Sequence, residues 1–300
     1  MKPPKIVVAG ASGFIGRPLC RALWDNGRRE VWALSRTPRE IPYARVLLWN
    51  GREPGPWQEC LEGAQTLINL CGGGLPTGRW SAKRMAQLER SRLEPTRALV
   101  AALAAAKKPP RAFISASAVS FYGDRGEEAL DEDSESGADF LAMLCVEWEN
   151  EARRAPAGVR TVLLRAGLVL GTGGGTLRSM LLPFRLGLGG PLGDGRQFMS
   201  WIAREDVLGL IVHLLDCDLA GPVNATAPEP VANAQFAREL AASLHRTARL
   251  RLPGGVVKLA LGDLGGMLLG GQRALPRRAQ QSGYAFKCSG LRAAIDASLS

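Results

Sequence analysis

The sequence predicts an α/β fold in which a doubly wound parallel sheet carries a small C-terminal lobe. Short β-branched apolar runs alternate with longer stretches of helical periodicity over residues 1–170, and glycines become dense after residue 171. Strands that alternate with helices are typical of a parallel sheet covered on both faces. A chain of 300 residues is long enough for such a domain together with a smaller lobe.

The first unit of this alternation is a strand, a glycine-rich loop and a helix. The apolar run at 5–10 is expected to be a strand buried on both faces, and the helix predicted over 14–27 ends at Gly27. A second strand is predicted over 30–35. A glycine loop at this place in a βαβ unit is typical of the Rossmann dinucleotide-binding fold.

The later elements continue the same alternation. Strands are predicted over 45–49, 66–70, 112–116 and 160–165, and helices over 81–107, 140–154, 206–215, 233–244 and 291–299. We expect a Rossmann domain over 1–170, to which elements around 197–227 return. The remainder, 171–300, is expected to form a substrate lobe whose glycine-rich loops wrap a ligand.

Composition and charge narrow the class of protein. The formal net charge is +10, but no nucleic-acid recognition motif accompanies it, so no nucleic-acid partner is expected. The 6 cysteines are widely spaced and only 2 histidines occur, which indicates free thiols and no metal site. No signal peptide or apolar segment of membrane length is evident. We expect a cytoplasmic protein without a membrane partner, either a monomer or a homodimer.

The glycine loop predicts where a dinucleotide binds. Glycines are needed where the turn is tight and where a pyrophosphate approaches the backbone, and the N-terminus of the following helix attracts that anion. The residues expected to contact the cofactor here are Gly10, Ser12, Gly13, Phe14, Ile15 and Gly16. The G-x-x-G-x-x-G spacing resembles that of the extended and atypical short-chain dehydrogenases/reductases, the superfamily of the sugar-nucleotide epimerases and dehydratases.

The end of the second strand indicates NADP(H) rather than NAD(H). NAD sites usually place Asp or Glu there, and a carboxylate would repel a 2′-phosphate. This chain has Ser35 and Arg36 at that position, with Arg39 close behind. A hydroxyl and guanidinium groups match a phosphate dianion. The predicted cofactor of the Rossmann domain is therefore NADP(H).

Two further segments resemble cofactor contacts of the superfamily. The fourth strand ends in an element similar to N-x-A-G, which borders the adenine and ribose; it consists of Asn69, Leu70, Cys71 and Gly72, with cysteine where alanine is usual. The pair Ser91-Arg92 resembles one whose arginine reaches the cofactor in close relatives.

The usual catalytic pair of the superfamily is missing. A short-chain dehydrogenase transfers a proton through a tyrosine whose pKa is lowered by a lysine four residues later. None of the 3 tyrosines in this chain is followed by lysine at that spacing. Ser117 or Ser120 could supply a catalytic hydroxyl from the end of the fifth strand. Tyr122 is a candidate replacement acid, although its position is normally structural.

Several motifs occurring together resemble one narrower family. They are the serine-rich segment before Phe-Tyr-Gly at 115–123, the helix that begins at Phe140, the run over 165–171 and the tail over 269–286. The chain resembles the YfcH-like epimerase-family proteins, which end in a small domain of unknown function, here at about 250–300. The resemblance implies an NADP-binding Rossmann domain with a C-terminal substrate lobe. Ala116 and Val169 join the expected cofactor contacts, and no substrate is implied.

Two functions follow from this sequence. The first is an NADP(H)-dependent oxidoreductase or epimerase acting on a small substrate, nucleotide-linked or anionic. Its cleft is expected to be lined by Ser120, Arg165, Arg185, Arg196, Trp201 and Asp206. Arginines in that lining would bind an anion. The second function is a non-enzymatic NADP(H)-binding redox sensor or regulatory protein, favoured by intact cofactor elements beside missing catalytic residues.

Overall fold

A computed structural model describes residues 3–74, 80–288 and 290–299. Its strands are β1 (Lys5–Ala9), β2 (Glu30–Ser35), β3 (Arg45–Leu48), β4 (Thr66–Asn69), β5 (Ala112–Ala118), β6 (Ala129–Leu130), β7 (Arg160–Ala166), β8 (Leu168–Leu170), β9 (Phe198–Met199), β10 (Trp201–Ala203), β11 (Gly221–Ala225), β12 (Val231–Ala232) and β13 (Arg273–Ala274). Its α-helices are α1 (Gly16–Trp24), α2 (Ala82–Ala105), α3 (Phe140–Arg153), α4 (Gly175–Arg185), α5 (Arg204–Asp216), α6 (Asn233–Ser243), α7 (Gly254–Leu261), α8 (Asp263–Leu269), α9 (Arg277–Gln281) and α10 (Leu291–Leu299). Short 3-10 helices cover Asp25–Gly27, Pro56–Leu61 and Val119–Tyr122.

The central sheet has seven parallel strands in the order β3-β2-β1-β4-β5-β7-β11. The strand order reverses at β1, which pairs with β2 on one side and with β4 on the other. In doubly wound sheets, ligands bind at the carboxyl ends of the strands at such a reversal. The predicted Rossmann-type α/β fold is therefore confirmed.

Helices cover both faces of the sheet because successive side chains of each strand point to opposite sides. Ile6 and Val8 of β1 pack with Leu19 of α1 and with α5 on one face. Val7 and Ala9 pack with α2 and the end of α3 on the other face. Alternate residues of one short strand therefore belong to two separate hydrophobic cores.

The C-terminal part of the chain is joined to the N-terminal part by several contacts. β11 completes the central sheet beside β7, and β13 pairs in parallel with β6. Asp206 of α5 is 0% exposed. Its carboxylate accepts hydrogen bonds from the N–H groups of Lys287 and Cys288 at 2.7 and 3.0 Å. The boundary at residue 170 stays a prediction.

The glycine-rich stretch after Gly171 differs from the expected loops because it contains α4. The glycines before and at the start of this helix lie against the ring of Phe14, which belongs to the glycine loop. A Cβ on Gly174 would lie 2.7 Å from that ring, and a Cβ on Gly175 would lie 2.9 Å from it. Their small size lets the second half of the chain approach the first glycine loop.

The apolar stretch over 256–269 forms most of the two short helices α7 and α8. They meet at Gly262, whose φ of +58° lies in the region that favours glycine. Within the ranges that the structure describes, no helix has both the length and the apolar character needed to cross a membrane.

Candidate functional site

The glycine loop connects β1 to α1 at the reversal of strand order. Gly10 has a φ of +77°, and a Cβ there would lie 2.6 Å from the Leu70 carbonyl oxygen. A Cβ on Gly16 would lie 2.3 Å from the Gly10 oxygen, so neither position accepts a side chain without a shift of backbone. The Gly13 N–H donates to the same Gly10 oxygen at 3.0 Å. Tight turning and close helix–strand packing therefore explain these glycines.

The N-terminus of α1 suits an anion. Among the residues that the structure describes, no side chain caps this helix, and its first turn contains no acidic residue. The positive end of the helix dipole attracts phosphate. The cradle in front of the helix is too narrow for side chains at Gly10 and Gly16. This part of the chain therefore fits the pyrophosphate of a dinucleotide.

A cationic turn follows β2, where the sequence predicted a 2′-phosphate site. Ser35 is buried and its hydroxyl donates to the Thr37 carbonyl oxygen at 2.9 Å. Arg39 donates to the Thr37 hydroxyl at 3.0 Å, and Arg36 is exposed. Burial raises the pKa of the Cys71 thiol to about 12, and the charge of Arg36 acts against that rise. The positive charge of Arg36, which follows β2, therefore also acts on Cys71 at the end of β4.

Asn69 has a structural role at the end of β4. Its side-chain amide donates to the Thr96 and Ser115 hydroxyls at 2.9 and 3.3 Å, and its carbonyl accepts from the Cys71 N–H at 3.1 Å. The Trp148 indole donates to the same Thr96 hydroxyl at 2.9 Å. The bond to Cys71 fixes the turn through Leu70 and Gly72, which the sequence placed beside the cofactor.

Arg92 of α2 borders the same turn. Its guanidinium donates to the Gly73 and Leu88 carbonyl oxygens at 3.0 and 3.2 Å and lies 5.4 Å from the centre of the Trp148 ring. Burial lowers the pKa of Arg92. Within the described ranges no carboxylate lies in ion-pair contact with it. A half-buried cation without an anion suits a negatively charged ligand.

Ser117 lies in a buried polar network at the end of β5. Its hydroxyl donates to Glu149 Oε1 at 2.8 Å. Arg165 donates to the two oxygens of Glu149 at 2.7 and 2.9 Å, and the two side chains are 2% and 0% exposed. Burial alone lowers the pKa of Arg165, but its bonds to Glu149 raise it overall. This pair connects α3 to β7 beneath the candidate site.

Tyr122 belongs to the same network. Its side chain is 0% exposed, and its hydroxyl donates to Asn224 at 2.8 Å and accepts from Arg165 at 3.0 Å. Burial raises its pKa to about 12. A buried hydroxyl with two protein partners does not contact a substrate, so this position argues against Tyr122 as a replacement acid.

Three residues expected to line a substrate cleft are buried and have partners within the protein, which argues against that role. Arg165 is paired with Glu149. Trp201 is 0% exposed and its indole donates to the Glu229 carbonyl oxygen at 2.9 Å. Asp206 holds the C-terminal tail. A sequence shows that a residue carries charge but not that another part of the chain neutralises it.

The other expected contacts lie at or near the surface. Arg185 and Arg196 are exposed, and Arg196 pairs with Glu127 at 2.8 Å. Ser12 is exposed; the half-buried members of the expected set are Phe14, Ile15, Ala116, Ser120 and Val169. Ligand contact at these positions stays a prediction.

A cavity of about 730 Å³ opens between the start of α3 and the α7–α8 pair, within the size range of small-molecule sites. It is lined by Trp80, Met85, Asp124, Asp139, Phe140, Leu141, Lys258, Gly262, Gly266, Met267, Gly270 and Gln272. One turn beyond Leu141, the Cys145 thiol lies against the backbone of Ala118, and burial raises its pKa to about 12. The cavity is therefore one helical turn from the end of β5.

The sequence reasoning placed none of these lining residues in the cleft. Phe140 and Gln272 belong to the motifs that resemble the narrower family. Those motifs were therefore the only feature of the sequence that pointed to the cavity lining. The rest of the lining depends on how the C-terminal helices meet α3, which local periodicity does not reveal.

Fold and site define a dinucleotide-binding α/β protein with a cavity bordered by its C-terminal helices. Residues 6–225 match the model of the NAD dependent epimerase/dehydratase family, and residues 252–298 match a domain of unknown function, DUF1731. The chain belongs to the NAD dependent epimerase/dehydratase family.

Individual relatives agree with this assignment. The chain is 37% identical over 304 residues to the human epimerase family protein SDR39U1, covering 97% of this chain and 98% of that one. It is 37% identical over 295 residues to the epimerase family protein YfhF of Bacillus subtilis, covering 97% and 96%. A crystal structure of human SDR39U1 with NADPH has a TM-score of 0.87 at 35% identity, covering 98% of both chains. A nucleoside-diphosphate sugar epimerase from Corynebacterium glutamicum has a TM-score of 0.80 at 32% identity, covering 99% of this chain and 58% of that one.

Proposed function

We propose that this chain binds NADP(H) at the carboxyl edge of its sheet and acts as an oxidoreductase or epimerase on a small molecule held in the cavity. One observation carries the proposal: a cradle that excludes side chains at Gly10 and Gly16 is followed by a second strand that ends in Ser35 and Arg36 instead of a carboxylate. The human relative crystallised with NADPH supports the choice of cofactor.

The phosphate groups of the cofactor have candidate partners in this chain. The N-terminus of α1 would hold the pyrophosphate, and Arg36, next to Ser35, would hold the 2′-phosphate. Arg92 supplies a cation beside the turn at Gly72. When bound, the nicotinamide supplies hydride transfer. The protein's own contribution is to orient the two reactants and to exclude water from the space between them.

The cavity gives the substrate an apolar wall with few polar groups. Trp80, Phe140 and Leu141 provide apolar surface, and Asp124 and Asp139 provide carboxylates. Asp139 Oδ1 already accepts from the N–H groups of the first turn of α3 at 2.9 and 3.0 Å. Asp124 accepts from the Gly271 N–H at 3.1 Å. Acid–base work on this wall would fall to these carboxylates or to water, because the chain lacks Tyr-x-x-x-Lys.

A second candidate function is a non-enzymatic NADP(H) sensor. Leu141 and Cys145 lie four residues apart on the face of α3 that meets the cavity and the end of β5. Leucine has no proton to donate, and burial raises the pKa of the Cys145 thiol to about 12. The cofactor cradle is complete beside them. A protein with this arrangement could report the NADPH level without turning over a substrate.

The cofactor assignment is tested by titrating the protein with NADPH and NADH. We expect NADPH to bind more tightly, and Arg36→Asp to weaken NADPH binding by about 10- to 100-fold, because it removes charge-assisted bonds to a phosphate. Arg28→Asp is a matched control, since the Arg28 side chain is 81% exposed outside the site. Equal affinity of the unaltered protein for NADPH and NADH would remove the assignment.

A measurement of NADPH turnover distinguishes the enzyme hypothesis from the sensor hypothesis. Oxidation of NADPH should be followed across a panel of carbonyl compounds that includes aromatic ketones and nucleotide sugars. Substrate-dependent oxidation supports the enzyme. Tight NADPH binding with no turnover on any compound favours the sensor.

A further inference from the structure

Most of the large apolar side chains that the described residues expose come from two segments of the C-terminal half. The first holds Leu182, Leu186 and Leu188, which are 56% to 66% exposed. The second holds Leu250, Leu252, Val256 and Leu259, which are 42% to 77% exposed. Single exposed leucines are ordinary on protein surfaces, but a group of this size marks an interaction site.

The two segments form one surface because their backbones are joined. The Leu252 N–H donates to the Pro191 carbonyl oxygen at 3.0 Å, and the Gly193 N–H donates to the Leu252 carbonyl oxygen at 2.9 Å. Arg246 also donates to the Arg185 carbonyl oxygen at 3.1 Å. We refer to the exposed side chains of 175–193 and 244–262 as the Leu–Arg surface.

The Leu–Arg surface is also purely cationic. It carries the exposed cations Arg178, Arg185, Arg246, Arg249, Arg251 and Lys258. The segments 175–193 and 244–262 contain no Asp and no Glu. Two acids flank the segments in sequence, Asp194 and Asp263. Asp194 accepts from the backbone N–H of Arg196 at 3.0 Å and borders the same pocket as Arg251. Because no acid within the segments offsets these cations, the surface favours an anionic partner.

We propose that the Leu–Arg surface docks on a membrane with anionic lipid headgroups. Leucines that insert between headgroups gain hydrophobic free energy, and neighbouring cations are attracted to negative lipids. A symmetric contact between two copies would place cations opposite cations, which disfavours self-association through this face. Nucleic acid would use the cations but not seven exposed apolar side chains. The expectation of no membrane partner rested on the absence of an apolar segment of membrane length, which peripheral docking does not require.

The test is flotation of the full chain with phosphatidylcholine vesicles, prepared with and without phosphatidylglycerol. We expect the protein to float with the anionic vesicles only, and added salt to weaken this binding. Leu186→Glu combined with Leu259→Glu should lower partitioning by about tenfold or more, because two inserting groups become charged. Neutralising Arg249 and Lys258 with glutamine should lower it by about fivefold for each cation removed.

A matched control uses a leucine at the far edge of the sheet. Leu48 of β3 is 59% exposed, so Leu48→Glu makes the same chemical change outside the Leu–Arg surface and should leave flotation unchanged. Thermal unfolding of each variant shows whether the fold is intact.

Several outcomes would overturn the proposal. One is the absence of flotation with anionic vesicles. Another is equal flotation of the Leu186/Leu259 double variant and the Leu48 variant. Concentration-dependent dimers that the double variant abolishes would identify a second copy as the partner. Duplex binding that survives both leucine changes would identify nucleic acid.

Discussion

The buried pair Glu149–Arg165 should be the most sensitive charged contact in the chain. In Glu149→Ala the guanidinium of Arg165 loses both charge-assisted bonds, at 2.7 and 2.9 Å, and the Ser117 hydroxyl loses its acceptor. Because Arg165 is 2% exposed, water cannot replace the missing carboxylate. Removing one partner of a buried ion pair costs about 3–5 kcal/mol. We expect a loss of this size in the free energy of unfolding.

Glu151 on the same helix provides the control. Glu149 contacts Arg153 at 3.1 Å as well as Arg165. Glu151 also contacts two arginines, but its partners Arg97 and Arg154 have side chains that are 56% and 70% exposed. Such solvent-exposed partners contribute about 0–1 kcal/mol per pair, because water solvates them when the carboxylate is removed. Glu151→Ala should therefore lower the free energy of unfolding much less than Glu149→Ala.

The assay is urea unfolding followed by circular dichroism, with the two variants measured beside the unaltered protein. Replacing both partners, Glu149→Leu with Arg165→Met, should restore much of the lost stability because no buried charge remains unpaired. Equal losses for Glu149→Ala and Glu151→Ala would refute the assignment of burial as the cause.

Three further predictions follow from the site. Gly16→Ala should lower stability by about 1–3 kcal/mol and weaken NADPH binding, because its Cβ would lie 2.3 Å from the Gly10 oxygen, whereas Gly158→Ala, with open space around it, should do neither in the same titrations. Tyr122→Phe should cost about 1–3 kcal/mol in urea unfolding, because Arg165 loses an acceptor, and leave NADPH affinity unchanged; loss of turnover at full stability would restore Tyr122 as an acid. Burial raises the pKa of Glu132, so its protonation stabilises the fold fully below the unfolded pKa and this contribution is lost as the pH rises through the folded pKa. The stability of Glu132→Gln relative to the unaltered protein should therefore grow as the pH rises above the unfolded pKa of about 4.3, and a constant difference would contradict this.

The order of elements could be predicted because local patterns specify it. Strands and helices alternate in the sequence, and every predicted strand falls within two residues of an observed one, from β1 through β7. The helix α4 could not be predicted in the same way, because its first residue is glycine and Pro183 lies inside it. Both residues are poor signals for a helix, and the close approach of Phe14 is what requires glycine at its start.

Site residues could be predicted from the sequence where the backbone geometry requires a particular residue type. They could not be predicted where the role of a side chain depends on which distant residue it contacts. Gly10 and Gly16 follow from close approach of backbone, which leaves a clear mark in sequence. Arg165 and Asp206 could not be assigned, because their partners are Glu149, 16 residues away, and the backbone of residues 287 and 288. The sequence alone does not distinguish a charged residue that binds a ligand from one that pairs with another residue of the protein.

The bonds to Asp206 have a consequence for how the protein is made. This fully buried carboxylate lies in α5, yet the N–H groups it needs belong to Lys287 and Cys288, close to the end of the chain. During translation the glycine loop and α5 leave the ribosome before those N–H groups do. The nascent protein therefore cannot reach its native energy until residues 287 and 288 have left the ribosome. A premature stop codon shortly before residue 287 should yield a product that the cell degrades, although its cofactor cradle is complete.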